Sequence, residues 1–174
     1  MFRFFNNLKG TVSSTYPSRL VVTKLMTDGD VEECSMFRTR ERFPALTYFH
    51  KTNGASLWRS SQPKEGLWGS VSKADQKMLQ SIVETVRPDS IKKSAVFTDQ
   101  KRDIARLHIV DARPKMSAFG NKVMGSGYEN VDNYPSTWLY FCDIENIHKI
   151  RESYLKLAHV CTNPQYRKQC KVDL

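Results

Sequence analysis

The chain has 174 residues, enough for one domain with a real core, and its 40% hydrophobic and 26% charged content is that of a folded protein. An excess of 27 Lys+Arg over 18 Asp+Glu gives a net charge of +9, which favours a polyanionic partner without choosing among nucleic acid, an anionic membrane face and a phosphorylated lipid headgroup. No stretch reaches the roughly 18 apolar residues of a membrane span, and Met1–Leu8 lacks the apolar core and cleavage site of a signal peptide. These features predict a soluble, intracellular chain. Cys34, Cys142, Cys161 and Cys170 are too scattered for a disulfide framework or a structural zinc site.

In chain order, Ser18–Val22 after Tyr16-Pro17 has strand composition, and Asp30 reads as the cap of a short helix with Val31, Cys34 and Phe37 on one face. Two β-rich runs, 45–51 and 55–60, flank Asn53-Gly54, and both residues of that step tolerate positive φ, so the segment predicts a hairpin. Ser72 with Asp75 resembles a capping box, with Asp in place of Glu or Gln. Met78, Leu79, Ile82, Val83 and Val86 follow as one helical stripe ended by Arg87-Pro88. Residues 88–103 are polar and read as a loop.

Ala105–Val110 predicts a buried strand and 116–135 a mixture of helix and loop. Thr137–Cys142 is apolar enough to be buried on both faces. Ile147, Ile150, Tyr154, Leu157 and Cys161 recur at helical spacing, giving a long helix from near Asn146. The tail from Asn163 is polar and basic. Alternating strand and helix signals predict an α/β fold in which helices at 72–86 and 146–161 flank a central mixed sheet. That sheet is expected to be incomplete, because the strands at 107–110 and 138–142 read as interior and want neighbours on both sides. An isolated chain of this kind should be marginally stable and prone to association.

Two places match the bare spacing of a cysteine phosphatase, Cys34 to Arg40 and Cys161 to Arg167. That chemistry needs a thiolate cupped by converging N–H groups, usually in a glycine-rich loop. Neither stretch contains Gly, the first lies in a helical pattern, and the second contains Pro164. Neither cysteine is therefore read as a nucleophile. Gly120–Ser126 is similar to a nucleotide-binding loop but lacks the Lys after its second Gly, so a turn with free backbone at Gly125 and Gly127 is the expectation. His50, His108, His148 and His159 are dispersed. Asp111 and Asp143 end predicted strands, where they are candidate general acids but more often cap a turn. The basic residues form no dense block and no aromatic-interleaved RNA signature, so a solvated basic face is expected.

Ordered motifs carry a stronger signal. Tyr16-Pro17 with Leu20–Val22, Phe37-Arg38, Arg42–Pro44, Asn53-Gly54, Arg59–Pro63, Asp111–Pro114, Asn121-Lys122, Gly127–Glu129, Tyr134 and Asn146–His148, continued by Arg151–Ser153 and Lys156-Leu157, together resemble the myotubularin family. The similarity covers about residues 15 to 161.

The resemblance implies a partial cysteine-phosphatase-like domain over 15–162, after a lead-in at 1–14 and before a polar tail at 163–174 that does not resemble the family. It further implies a phosphoinositide 3-phosphatase family, acting on phosphatidylinositol 3-phosphate and the 3,5-bisphosphate through a His-Cys-Ser-Asp-Gly-Trp-Asp-Arg loop. Nothing in this sequence corresponds to that loop, so no catalytic residue is assigned and the chain is expected to be inactive alone. By the family's motifs the headgroup contacts are Asn121, Asn146 and Ile147. An Asn offers both donor and acceptor to hydroxyls and phosphate oxygens, although Asn146 fits a helix N-cap equally well.

No cofactor or metal is implied. The expected partners are a phosphoinositide headgroup at a membrane surface and a myotubularin-family subunit, with a non-catalytic scaffolding role as the alternative. Nucleic acid is not expected, and the location implied is cytoplasmic, peripheral on endosomal membranes. Thr23, where the family commonly has Pro, and Ser126, within a common Gly run, depart from the pattern.

Overall fold

The structure is a computed structural model that describes residues 1–85, 106–134 and 137–167. Strand β1 (Phe2–Asn6) pairs antiparallel with β2 (Arg19–Thr23), Phe4 lying opposite Val21. The second of these strands is the one expected near 18–22. The first lies in the lead-in, where too few alternating residues precede the turn to announce it. Asn7 fixes the connection: its buried side chain accepts from the N–H groups of Val12 and Ser13 and donates to the Ser13 carbonyl at 2.8 Å.

Helix α1 (Asp28–Phe37) starts at Thr27, not at Asp30. Thr27 Oγ1 accepts from the Asp30 N–H, and the Asp30 carboxylate accepts from the Thr27 N–H at 2.8 Å. Asp30 is therefore the third helical residue of a complete capping box. Val31 and Cys34 face the core as expected.

The predicted hairpin is present as β3 (Ala45–Phe49) and β4 (Ser56–Arg59), paired antiparallel with a bulge between Leu46 and Tyr48. Its turn is wider than a two-residue step: the His50 N–H meets the Ala55 carbonyl and the Gly54 N–H meets the His50 carbonyl, with only Gly54 at positive φ (75°). The Asn53 side chain instead accepts from the Ala55 N–H.

Helix α2 (Lys73–Val83) is capped by Ser72, whose hydroxyl accepts from the Asp75 N–H. The reciprocal half of the expected capping box is missing because the Asp75 carboxylate turns inward. Met78, Leu79 and Ile82 bury the predicted stripe, while Val86 and the expected loop at 88–103 lie outside the described residues. The core lies where β1–β2, α1, α2 and β3 meet, around Phe5, Val22, Met26, Phe43 and Met78. Phe43 is its hub, taking Phe5 and Tyr16 edge-on at 5.5 Å.

Strand β5 (Leu107–Asp111) runs parallel to β6 (Thr137–Phe141), pairing Leu107 with Thr137 and Asp111 with Phe141. The described residues thus hold three two-stranded sheets instead of one central mixed sheet. Nor are β5 and β6 buried on both faces. Leu107, Ile109, Leu139 and Phe141 are half-buried, while His108, Val110, Trp138 and Tyr140 are exposed. No described element covers that outer face, where His108 stacks on Tyr140 at 5.7 Å.

Helix α3 (Lys115–Val123) follows β5, and α4 (Ile147–Thr162) follows β6. The apolar stripe of α4 is helical as predicted but exposed, with Ile147 at 73% and Leu157 at 62%. A further helical turn occupies Pro164–Arg167 in the polar, basic tail, and 168–174 lie outside the described residues.

Candidate functional site

In a parallel pair, both strands end on the same side, and the loops that follow meet there. Here the loops after β5 and β6 are joined: the Cys142 N–H donates to the Asp111 carbonyl at 2.8 Å and the Ile144 N–H to the Ala112 carbonyl at 2.9 Å. Beyond β5, a cavity of about 480 Å³ opens between Thr39, Arg40 and Arg42, Ser60–Gln62, the Asp111–Arg113 turn and Asn121.

One side of the cavity rests on Arg113. Its guanidinium grips Asp111, with 2.6 Å from Nη2 to Oδ2, reaches the Gln62 amide oxygen, and donates to the Gly127 carbonyl at 2.8 Å. Asp111 also accepts from the Arg113 backbone N–H. The candidate general acid is therefore the anchor of a turn. Asp143 is exposed at positive φ (56°) and lines no described cavity.

The opposite side rests on Arg38, which has no exposed surface. Its guanidinium forms a fork on Asp75, both bonds 2.7 Å, donates to the Ser61 carbonyl at 3.0 Å, and pairs with Glu129. Asp75 also accepts from the Tyr134 hydroxyl at 2.8 Å and the Cys34 thiol at 3.3 Å. Burial works against the Arg38 charge, but the Asp75 and Glu129 carboxylates outweigh it and hold the guanidinium protonated above its ordinary range. Burial, then the Asp75 charge, pushes the Cys34 thiol and the Tyr134 phenol up. Cys34 is thus a buried thiol inside α1, and Cys161 lies exposed within α4. Neither is cupped by a phosphate loop.

A third contact fixes the turn after α3. Gly66, at φ 63°, donates to the Ser126 carbonyl at 2.8 Å, and a Cβ on Gly66 would sit 3.5 Å from Gly125 Cα. Beside it Lys122 approaches the buried Glu65 carboxylate at 3.3 Å and lies 5.1 Å from the Tyr128 ring centroid. The Gly125–Gly127 segment is therefore a turn after α3, as its glycines predicted, and its positive φ values of 84° and 150° suit Gly.

Of the three residues assigned to headgroup contact, Asn121 lines the cavity, and its carbonyl accepts from the N–H groups of Met124 and Ser126. Asn146 is the N-cap of α4, its side chain accepting from His148 and Lys149 N–H at 3.0 and 3.2 Å. Ile147 is the first residue of that helix and exposed. Asn146 and Ile147 do not line the Asn121 cavity.

Arg40 and Arg42 are the cations of this cavity with no carboxylate partner among the described residues. No Cys or His lines it. It can attract and orient an anion, but it offers no nucleophile paired with a base. Sequence reading missed the Arg38–Asp75–Glu129 network. No local signal marked it, since Arg38 is one of three arginines in the stretch 38–42 and its carboxylate partners lie 37 and 91 residues away.

Comparison with known proteins agrees with the motifs. The family described as the Myotubularin-like phosphatase domain matches residues 1–173. The chain is 38% identical over 150 residues to human phosphatidylinositol-3,5-bisphosphate 3-phosphatase MTMR8, covering 86% of this chain and 19% of that protein. It is 40% identical over 150 residues to human phosphatidylinositol-3-phosphate phosphatase MTMR7, covering 86% and 20%. It is 37% identical over 156 residues to Xenopus laevis myotubularin, covering 90% and 23%. The chain spans about a fifth of the length of these curated relatives. It belongs to the myotubularin-like phosphatase domain family.

Proposed function

We propose that this chain is the N-terminal part of a cysteine-phosphatase-like domain that binds the headgroup of a phosphatidylinositol 3-phosphate or 3,5-bisphosphate and removes its D3 phosphate. The chain supplies binding walls, not the nucleophile. The names of two relatives specify a 3-phosphatase of phosphatidylinositol 3,5-bisphosphate and a phosphatase of phosphatidylinositol 3-phosphate. The observation that carries the reading is the pair of joined loops after the parallel strands β5 and β6, which lead to Asn121 and Asn146.

In this reading Asn121 and the α4 start at Asn146 and Ile147 contact the inositol ring. With its side chain occupied as a cap, Asn146 contributes chiefly by holding the helix N-terminus, whose free N–H groups favour an anion. The site is completed by a thiolate loop absent from these 174 residues, so the chain alone performs no transfer. It acts in the cytoplasm, on the face of endosomal membranes.

The test is phosphate release from phosphatidylinositol 3-phosphate by the purified chain. None is expected, and turnover abolished by Cys34→Ser or Cys161→Ser would overturn the reading. A second reading, a non-catalytic partner of an active myotubularin, is favoured by the uncovered apolar face of α4. Co-elution with a purified full-length relative would support it; separate elution at micromolar concentrations would remove it.

A further inference from the structure

A second cavity, of about 510 Å³, lies on the other side of Arg42, between the Thr15–Val21 segment and the start of the β3–β4 hairpin. It shares Arg42, Ser60 and Ser61 with the Asn121 cavity but is otherwise separate. Its size falls in the range of small-ligand sites, about 300–1,000 Å³. Three arginines, Arg19, Arg42 and Arg59, are among the residues that line it, and no Asp or Glu is.

These arginines are not absorbed by the fold. Arg42 Nε donates to Thr15 Oγ1 at 2.7 Å, and its two terminal NH₂ groups have no partner among the described residues. Arg59 has no hydrogen bond or ion pair through its side chain among the described residues, although its backbone carbonyl accepts from the Tyr16 hydroxyl at 3.2 Å. Arg19 lies over the Phe4 ring, 4.5 Å from its centroid, without a carboxylate partner. The Tyr16 hydroxyl donates to the Phe43 carbonyl at 3.0 Å and to the Arg59 carbonyl at 3.2 Å, which holds the backbone next to Arg42 beside that of Arg59. Arg38 and Arg113, by contrast, spend their forks on carboxylates.

Cations held together against apolar walls such as Leu20, Val21 and Ala45 raise the local potential and concentrate anions. An uncommitted guanidinium fork matches a phosphate's paired oxygens. We propose that this cavity binds a phosphomonoester, presented by a phosphoinositide headgroup or by a soluble inositol phosphate, at a site distinct from the one lined by Asn121. The proposal does not depend on the assignment of Asn121, Asn146 and Ile147.

The experiment titrates the full 174-residue chain at low salt with three probes. These are phosphatidylcholine vesicles doped with phosphatidylinositol 4-phosphate, vesicles of equal charge doped with phosphatidylserine, and soluble inositol 1,4-bisphosphate. Saturable binding of the phosphomonoester probes is expected, weakened about tenfold or more by Arg59→Glu and by Arg19→Glu, both exposed positions. Arg59→Lys keeps the charge but not the fork and should fall between. Lys156→Glu, a charge reversal at an exposed cation of α4 that lines neither cavity, should leave this binding unchanged, so a loss from net charge alone is read separately.

Binding of vesicles alone identifies the lipid as the source, and equal binding of the soluble probe shows that the headgroup suffices. Equal affinity for phosphatidylserine vesicles, or binding unaltered in both arginine reversals with circular dichroism unchanged, overturns the proposal. If one reversal unfolds, the other and Arg59→Lys still decide it.

Discussion

Replacing Arg38 by Met would remove a cation with no exposed surface from between Asp75 and Glu129. Asp75 would keep only the Tyr134 hydroxyl and the Cys34 thiol, and the buried Glu129 carboxylate would lose its charged partner. Breaking one side of a buried ion pair costs about 3–5 kcal/mol, because the remaining charges stay out of water uncompensated. That is a large share of the ~5–15 kcal/mol that holds a domain folded. Tyr134→Phe deletes one neutral donor to the same carboxylate and should cost about 1–2 kcal/mol.

Urea unfolding followed by tryptophan fluorescence measures both. The informative variant is the double mutant Arg38→Met with Asp75→Leu. If the network acts as a unit, it should be less destabilised than the sum of its single mutants, because the second change removes a charge the first left stranded. A loss below about 1 kcal/mol for Arg38→Met, the size expected of an exposed pair such as Lys149–Glu152, would refute the reasoning. Strict additivity would refute it as well.

Two further outcomes follow from the same geometry. Hydrogen bonds from Lys77 and Thr27 hold the Asp30 carboxyl at about 2, below its ordinary 3.8. A depressed folded-state value stabilises above the unfolded one, so this contribution is present above about pH 4 and lost as the pH falls towards 2. Solvent screening keeps it to roughly 0.5–1 kcal/mol. Asp30→Asn should flatten the acid limb of the stability profile by that amount, and an unchanged limb would count against the capping box. Hydrogen exchange should show strong protection for α2 amides and weak protection along α4, whose side chains are nearly all exposed. Equal protection of the two helices would contradict the burial pattern.

What the sequence disclosed was mostly periodicity. The α2 stripe, the α4 stripe and the hairpin each repeat at a period that a short window reveals, and each is where the pattern placed it. Start signals were less faithful. Thr27 and Asp30 form a box in which the visible acid is the third residue, not the cap. Ser72 and Asp75 form only half a box because a buried Arg competes for the carboxylate. Burial was least legible. An apolar strand such as 137–141 announces that it wants to be covered, but not that nothing described covers its outer side. The site was legible as a list of motifs, but not as geometry. Arg38 and Glu129 are separated by 91 residues, and no local pattern links them.

Read together, those motifs separate into two kinds by what their side chains touch. Arg38, Gln62, Asp111, Arg113, Glu129 and Tyr134 are consumed by contacts that hold the Gly125–Tyr134 segment against the α1–α2 body. They recognise the fold and nothing outside it. Arg40, Arg42 and Arg59 belong to neighbouring stretches of sequence yet have no carboxylate partner among the described residues. A folded chain with net charge +9 pairs its buried arginines first, because only there is an unpaired charge prohibitively costly. Among the described cations without a carboxylate partner, Arg19, Arg40, Arg42 and Arg59 line two cavities that share Arg42. In the proposed reading anion recognition rests on these residues, with the buried network holding the segments that carry them.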